Sequence, residues 1–235
     1  MNQPSPRSEF NSYRASYRDV VNESIAFSGL DIDFFTRAKA ARLLDLLAQL
    51  LGPTERLSVL DVGCGVGQYH PILRGQLREL TAVDPSAACI DEAKSKNAGV
   101  TYLVNGDVLP FPDGRFDATY AICVMHHVLP SKWASFSSEL ARVTKPGGVV
   151  LIFEHNPYNP VTRRVVSRCP FDKDAVLLSR ARVIEHLVRG GLADVDGRYI
   201  LAIPSVRGAV RKLDDALGHF PLGAQYYVHG RRPRS

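Results

Sequence analysis

Three glycines at alternate positions, Gly63, Gly65 and Gly67, close the segment Val59-Leu-Asp-Val-Gly-Cys-Gly-Val-Gly67 after an apolar run. Glycine takes positive φ without a Cβ penalty and lets a ligand approach the main chain. A buried strand that ends in such a turn and opens a helix leaves free N–H groups at the carboxyl edge of a sheet, where open α/β folds bind ligands. Asp61 precedes the turn and Cys64 lies inside it. The dinucleotide fingerprint GxGxxG would need glycine at 68 or 70, where Gln68 and His70 stand. The register is GxGxG, which disfavours a pyrophosphate-binding turn. Asp84, about twenty residues on, is spaced to serve a ribose in either scheme.

Further acids and imidazoles follow at intervals that match strand ends. Asp107 follows the segment 101–104, the pair His126-His127 follows 116–124, and His155 follows 149–153 with Glu154 and Asn156 beside it. Histidine is the natural proton acceptor near neutral pH. Each Asp also has a plain reading as a turn or cap residue; three acids after three successive strands favour a ligand.

The elements that position these groups alternate. Apolar residues at Phe34, Ala38, Ala41, Leu44, Leu47, Ala48 and Leu51 fall at helical spacing, and Gly52-Pro53 stops that helix. Strands are expected at 58–62, 80–83, 101–104, 116–124 and 149–153. Helices should follow Gln68, start at the cap Ser86, and run through Trp133, Phe136, Leu140 and Val143. Lys145-Pro-Gly-Gly148 turns the chain into the fifth strand. A helix around 181–188 and strands at 199–203 and 225–228 complete the order. Near-continuous apolar strands alternating with helices predict a parallel sheet covered on both faces. The aromatic first thirty residues, with Phe10, Tyr13, Tyr17 and Phe27, predict a helical lid over the site. Tyr13 and Tyr17 share a helical face at (i, i+4). A ring there would attract a cation.

In this order the motifs resemble those of the class I S-adenosylmethionine-dependent methyltransferases, over residues 57–155. Leu60-Asp-Val-Gly-Cys-Gly-Val-Gly67 resembles the first motif, Val83-Asp84-Pro85-Ser86 the second and Asn105-Gly106-Asp107-Val108 the third. Phe116-Asp117 and Cys123-Val-Met-His126-His127 resemble the fourth, and Arg142-Val-Thr-Lys-Pro-Gly-Gly148 the turn before strand five. The resemblance implies a doubly wound, Rossmann-like, seven-stranded α/β sheet with its last strand antiparallel. It implies S-adenosyl-L-methionine as cofactor: the glycine turn against the methionine part, Asp84 on both ribose hydroxyls and Asp107 on the adenine amine. A carboxylate accepts two hydroxyl donors, and an amine needs an acceptor. Asp61, Gly63, Cys64, Gly65, Gly67, Asp84, Pro85, Asp107, Val108, Val124 and the lid residue Tyr17 are the expected cofactor contacts. Methyl transfer from a sulfonium needs alignment, exclusion of water and, for an oxygen or carbon nucleophile, removal of a proton. His155 is the first candidate base, followed by His127; His126 fits packing or cofactor duty better.

Composition narrows the rest. With 235 residues, 45% hydrophobic and 23% charged, the chain suits one soluble α/β domain: a lid and helix over 1–52, a cofactor core over 57–155, an acceptor-side insert over 156–172 and the rest of the sheet to 235. No apolar run would span a bilayer and the N-terminus has no signal-peptide core, so a cytoplasmic protein without membrane contact is expected. The basic clusters at Arg163, Arg164 and Arg168 and at Arg231, Arg232 and Arg234 are short and lack stacking aromatics, so no nucleic acid is expected. Solvated surface fits them, and Arg163 and Arg164 could also meet an acidic substrate. Cysteines at 64, 89, 123 and 169 lack metal or disulfide spacing, and no metal is expected. Asn156-Pro-Tyr-Asn-Pro160 resembles the tetrapeptide of exocyclic-amine nucleic-acid methyltransferases but follows strand five instead of four, and is read as a rigid loop. The expected acceptor is therefore a natural-product, sugar or lipid intermediate, with oxygen ahead of carbon or nitrogen, and a homodimer fits as well as a monomer. A non-catalytic cofactor-binding partner of the same fold and a nicotinamide-dependent oxidoreductase are the alternatives.

Overall fold

The strands that carry the glycine turn and Asp84 are buried on both faces, and this places the centre of the sheet. β1 (Ser58–Val62) is buried at every position. Its parallel neighbours are β2 (Glu79–Asp84) and β4 (Phe116–Ile122), and β3 (Thr101–Val104) lies beyond β2. β5 (Thr144–His155) runs parallel to β4, and β7 (Gln225–Arg231) is antiparallel both to β5 and to the edge strand β6 (Ala193–Ile200). The order β3-β2-β1-β4-β5-β7-β6 makes seven strands with the last one antiparallel, as expected. The computed structural model describes residues 22, 23, 25, 31–203 and 208–234. The lid residues Tyr13 and Tyr17, with Phe10 and Phe27, lie outside them.

The two faces alternate along each strand. Leu60, Val62, Val150 and Ile152 join one core with Trp133 and Leu140 of α4 (Trp133–Val143) and Val183 and Leu187 of α6 (Arg180–Arg189). Val59, Val149, Leu151 and Phe153 join the other, with Leu43 and Leu47 of α1 (Ile32–Leu51) and Leu73 of the short α2 (His70–Leu73). α3 (Ala87–Lys96) starts where Ser86 accepts the Cys89 N–H, the expected cap. Successive strands run outward from β1 to β3, then return to the other side of β1 at β4. This reversal opens a crevice at the carboxyl ends of β1 and β4, the place where such sheets bind ligands.

Several expected boundaries move. β4 stops at Ile122, because Cys123 takes the left-handed conformation at φ 57. β5 begins at Thr144, and its glycines at 147 and 148 lie within the strand. β6 is Ala193–Ile200, against the expected 199–203, since the polar edge residues Asp194, Asp196 and Arg198 carry no apolar signal. The 156–172 insert contains a helix, α5 (Pro160–Arg168), capped by Asn159 accepting from Thr162 N at 3.0 Å. A further helix, α7 (Gly208–Leu217), was not expected.

Candidate active site

A cavity of about 620 Å³ fills the crevice, within the range of small-molecule and cofactor sites. One end is the glycine turn. Gly63, Gly65 and Gly67 all have positive φ (80°, 53° and 72°), but they serve different ends. A Cβ on Gly63 would stand 2.6 Å from the Val124 side chain. One on Gly67 would stand 2.8 Å from His70 Nδ1 and 2.9 Å from the Tyr102 hydroxyl. Only Gly65 of the three opens onto free space. Gly67 is buried and outside the cavity lining, so its expected ligand contact is corrected to internal packing.

Asp84 is bound into this turn. Its Oδ2 accepts the Gly65 N–H at 2.9 Å and its Oδ1 accepts the Ser86 N–H at 2.8 Å. Burial raises its carboxyl above the ordinary range, against the two backbone hydrogen bonds that lower it. Each carboxylate oxygen keeps acceptor capacity beyond one bond, the requirement for two vicinal hydroxyls. Pro85, Cys64 and Val124 line the same cavity. The Cys64 thiol is pushed well up by burial and then by Asp61 and Asp84, so it packs as a neutral group. Asp61 also lines the cavity, with its Oδ2 2.9 Å from the buried His70 Nε2. His70 in turn meets the Tyr102 hydroxyl at 2.5 Å, which makes Asp61 the support of the turn.

Asp107 lies at the rim, its side chain 69% exposed and 2.5 Å from Lys132 Nζ. Val108 is 68% exposed and does not line the cavity; Leu109 does, and the expectation for Val108 is corrected accordingly. The segment after β3 is irregular, so strand parity could not place it.

At the other end, Trp133 donates its indole N–H to the carbonyls of Met125 (3.0 Å) and Val128 (2.9 Å), fixing the 3₁₀ turn Met125–His127. His126 is buried, with Nδ1 2.5 Å from Glu154 Oε2. Burial alone would lower its pKa, but Glu154 and Asp172 outweigh burial and raise it well above the ordinary value. His127 is pulled down to about 4 by burial and by His126. His155 lines the cavity, with Nδ1 3.3 Å from Gln225 Nε2. Its ring centroid is 5.2 Å from that of His126. All three histidines therefore meet at one place.

Sequence reasoning missed four of their neighbours. Asp172, on the turn Pro170–Asp172, sits 3.4 Å from both His126 Nε2 and His127 Nε2. Lys39 of α1, itself buried, reaches Cys123 Sγ at 3.6 Å and lies over the Tyr69 ring. Burial pushes the Cys123 thiol up, yet Lys39 and His155 overcome it and bring it to about 7. Gln225 approaches the same sulfur at 3.8 Å. Only the positive φ of Cys123 and its place at a strand end could have marked this cluster, and φ is not readable from sequence. The absence of metal-spaced cysteines did not anticipate the trio His126, His127 and Asp172, whose donor atoms all lie within 4.8 Å of one another.

Asn156 does not face an acceptor. Its amide donates to the carbonyls of Pro221 (3.0 Å) and Gly223 (2.7 Å), and Asn159 caps α5. Arg163, Arg164 and Arg168 on that helix are exposed.

Sheet order, switch point and acid-anchored glycine turn define a doubly wound α/β domain for a nucleoside-bearing cofactor. Residues 60–152 match the family described as "Methyltransferase domain". Malonyl-[acyl-carrier protein] O-methyltransferase of Serratia marcescens is 37% identical over 151 residues, 58% of this chain and 54% of that protein. Sterol 24-C-methyltransferase ERG6B of Gibberella zeae is 37% identical over 135 residues, 51% of this chain and 33% of that protein. The chain thus spans about half of the first relative and a third of the second. Among solved structures, a TehB-like SAM-dependent methyltransferase from Corynebacterium glutamicum superposes with a TM-score of 0.61 at 18% identity, covering 96% of this chain and 98% of that one. The chain belongs to the class I S-adenosylmethionine-dependent methyltransferases. None of the described helices is long and apolar enough to cross a membrane.

The residues present fit that cofactor. Gly65 leaves main-chain access, Asp84 keeps acceptor capacity, and two cavity-lining amides, Asn105 and Gln225, each have a buried carbonyl oxygen without a hydrogen-bond partner.

Proposed function

We propose that the protein transfers the methyl group of S-adenosylmethionine to a small-molecule acceptor, with an oxygen atom as the favoured nucleophile. The observation that carries the reading is Asp84, held by Gly65 N–H at the mouth of a cavity that reaches His155. Asp84 would hold the ribose, the turn around Gly65 the methionine part and Asp107 the adenine edge. Bound, the cofactor supplies an activated methyl on a sulfonium.

This chain's own residues supply the rest. α5 closes the acceptor end through Val161, Thr162 and Val165, and Thr162 is pinned by donating to the Ala224 carbonyl at 2.7 Å. Such closure excludes water and aligns the reactants. His155, oriented by Gln225, is the group we assign to take a proton from an acceptor hydroxyl. The two relatives named above differ in acceptor atom, oxygen in one and carbon in the other. A positioned proton acceptor serves an oxygen or a carbon nucleophile; we place oxygen first, as in the malonyl-[acyl-carrier protein] relative. The Asn156 amide, spent on the carbonyls of Pro221 and Gly223, supports a small acceptor over the exocyclic amine of a nucleic acid.

The test is incubation with methyl-labelled cofactor and a metabolite extract, followed by identification of the labelled compound. Label in a hydroxyl-derived methyl ether or ester supports the reading. Cofactor binding with no label in any compound would instead make the chain a non-catalytic binder.

A further inference from the structure

We propose that His126, His127 and Asp172 form a binding site for one divalent transition-metal ion of the zinc type. The site faces the acceptor end of the cavity. The distances fit an ion better than direct hydrogen bonds. Asp172 Oδ1 is 3.4 Å from Nε2 of each histidine. That exceeds the usual N–H···O range of about 2.7–3.2 Å. Two ligands about 2.1 Å from a tetrahedral zinc stand roughly 3.4 Å apart.

A second observation points the same way. His126 Nε2 is a buried nitrogen without a hydrogen-bond partner, on a residue only 1% exposed, and it lies 3.4 Å from Asp172 Oδ1. Its other nitrogen, Nδ1, is engaged by the buried Glu154 at 2.5 Å. A carboxylate on the far nitrogen of a ligating histidine fixes the tautomer that presents a lone pair and raises its basicity. Glu154 also accepts the His126 backbone N–H at 3.3 Å, so ring and main chain are set together. A dication would balance the two carboxylates, Glu154 and Asp172, that flank this imidazole.

The scaffold is built before any ion arrives. Trp133 holds the histidine turn, and the Val176 N–H donates to the His126 carbonyl at 2.9 Å, tying the chain after Asp172 to it. Three protein ligands and an open position characterise reactive zinc sites, whereas structural sites are closed by four. His126, His127 and Asp172 all line the cavity, so the open position faces the space assigned to the acceptor. Two imidazoles and one carboxylate select borderline ions such as zinc, cobalt or iron over magnesium or calcium. An oxygen donor of the acceptor would fill the remaining position. That last role rests on the proposed methyl-transfer function; the binding of the ion does not.

The test uses the full chain without an affinity tag, stripped with chelator, and titrated with Zn²⁺ by calorimetry and with Co²⁺ by visible absorption. One ion per chain with a tetrahedral or five-coordinate Co²⁺ spectrum is expected. Asp172→Asn and His127→Ala should each weaken binding at least tenfold, and Glu154→Gln about 10–100-fold, the range for partners of ligating histidines. Thermal melts of the stripped variants report whether they fold. Cys123→Ser, which removes a nearby thiol outside the trio, should leave the Co²⁺ spectrum unchanged. No binding of either ion to the wild type overturns the proposal, as does binding that Asp172→Asn and His127→Ala leave untouched. A parallel titration with S-adenosylhomocysteine separates the two readings: its failure removes the cofactor site and leaves the ion site standing.

Discussion

Asp84 Oδ2 accepts the backbone N–H of Gly65 at 2.9 Å, so the acid at the end of β2 and the glycine turn after β1 form one unit. The acid orders the turn, and the turn fixes the acid at the cavity. Replacing Asp84 by Asn keeps the shape but removes the charge. The expected loss in affinity for S-adenosylhomocysteine is about 1.5–3 kcal/mol, the range for hydrogen bonds to a charged group. Calorimetry of Asp84→Asn beside wild type measures it, and an unchanged Kd would remove Asp84 from the ribose role.

The three glycines should fail in different ways. Gly65→Ala meets no atom within 4 Å, so its cost to folding is the left-handed strain alone, about 1–2 kcal/mol. Its larger effect should be on cofactor affinity, because the new methyl enters the cavity. Gly67→Ala meets His70 Nδ1, Asn97 and Tyr102 at 2.8–2.9 Å in the support behind the turn, and should lower the melting temperature more than Gly65→Ala does. Equal melting temperatures with equal affinities would contradict this division.

Cys123 gives a pH test. With its thiol lowered to about 7 from an ordinary 9.0, it should be alkylated by iodoacetamide with a rate midpoint near pH 7. Cys64, raised by burial, should react last. Lys39→Met removes the leading favourable charge and should move the Cys123 midpoint upward. The sign for stability follows, because the folded state holds the thiolate more readily than the unfolded chain. The stabilisation is complete above about pH 9 and is lost as pH falls through about 7. Peptide-resolved mass spectrometry reads the labelling. A midpoint near 9 would contradict the assignment.

His155→Ala should lower turnover by about 10²–10⁴, the usual worth of a positioned base. Cofactor affinity should stay within a few-fold, since His155 sits at the acceptor end of the cavity. A turnover close to wild type would end its assignment as base.

The core of this fold was legible because β1, β2, β4 and β5 are buried on both faces and so read as apolar runs. The glycine register and the cap at Ser86 were local and were placed correctly. β6 was displaced because it is an edge strand with Asp194, Asp196 and Arg198 on it, and only Tyr199 and Ile200 carried a signal. α5 was hidden by the prolines at 157 and 160, although Asn159 followed by Pro160 is itself a helix-start pattern. The acceptor end was the least legible part. Lys39, Cys123, Glu154 and Asp172 come from four separate elements and are brought together only by the fold. Val108 was carried along by its motif, and only the turn after β3 shows that it faces away.

The most direct measurement of the central claim is a calorimetric titration of the purified chain with S-adenosylhomocysteine and, separately, with NAD⁺. Saturable binding of one S-adenosylhomocysteine per chain, with no binding of NAD⁺, is the predicted result. Binding of NAD⁺ with none of S-adenosylhomocysteine would contradict it.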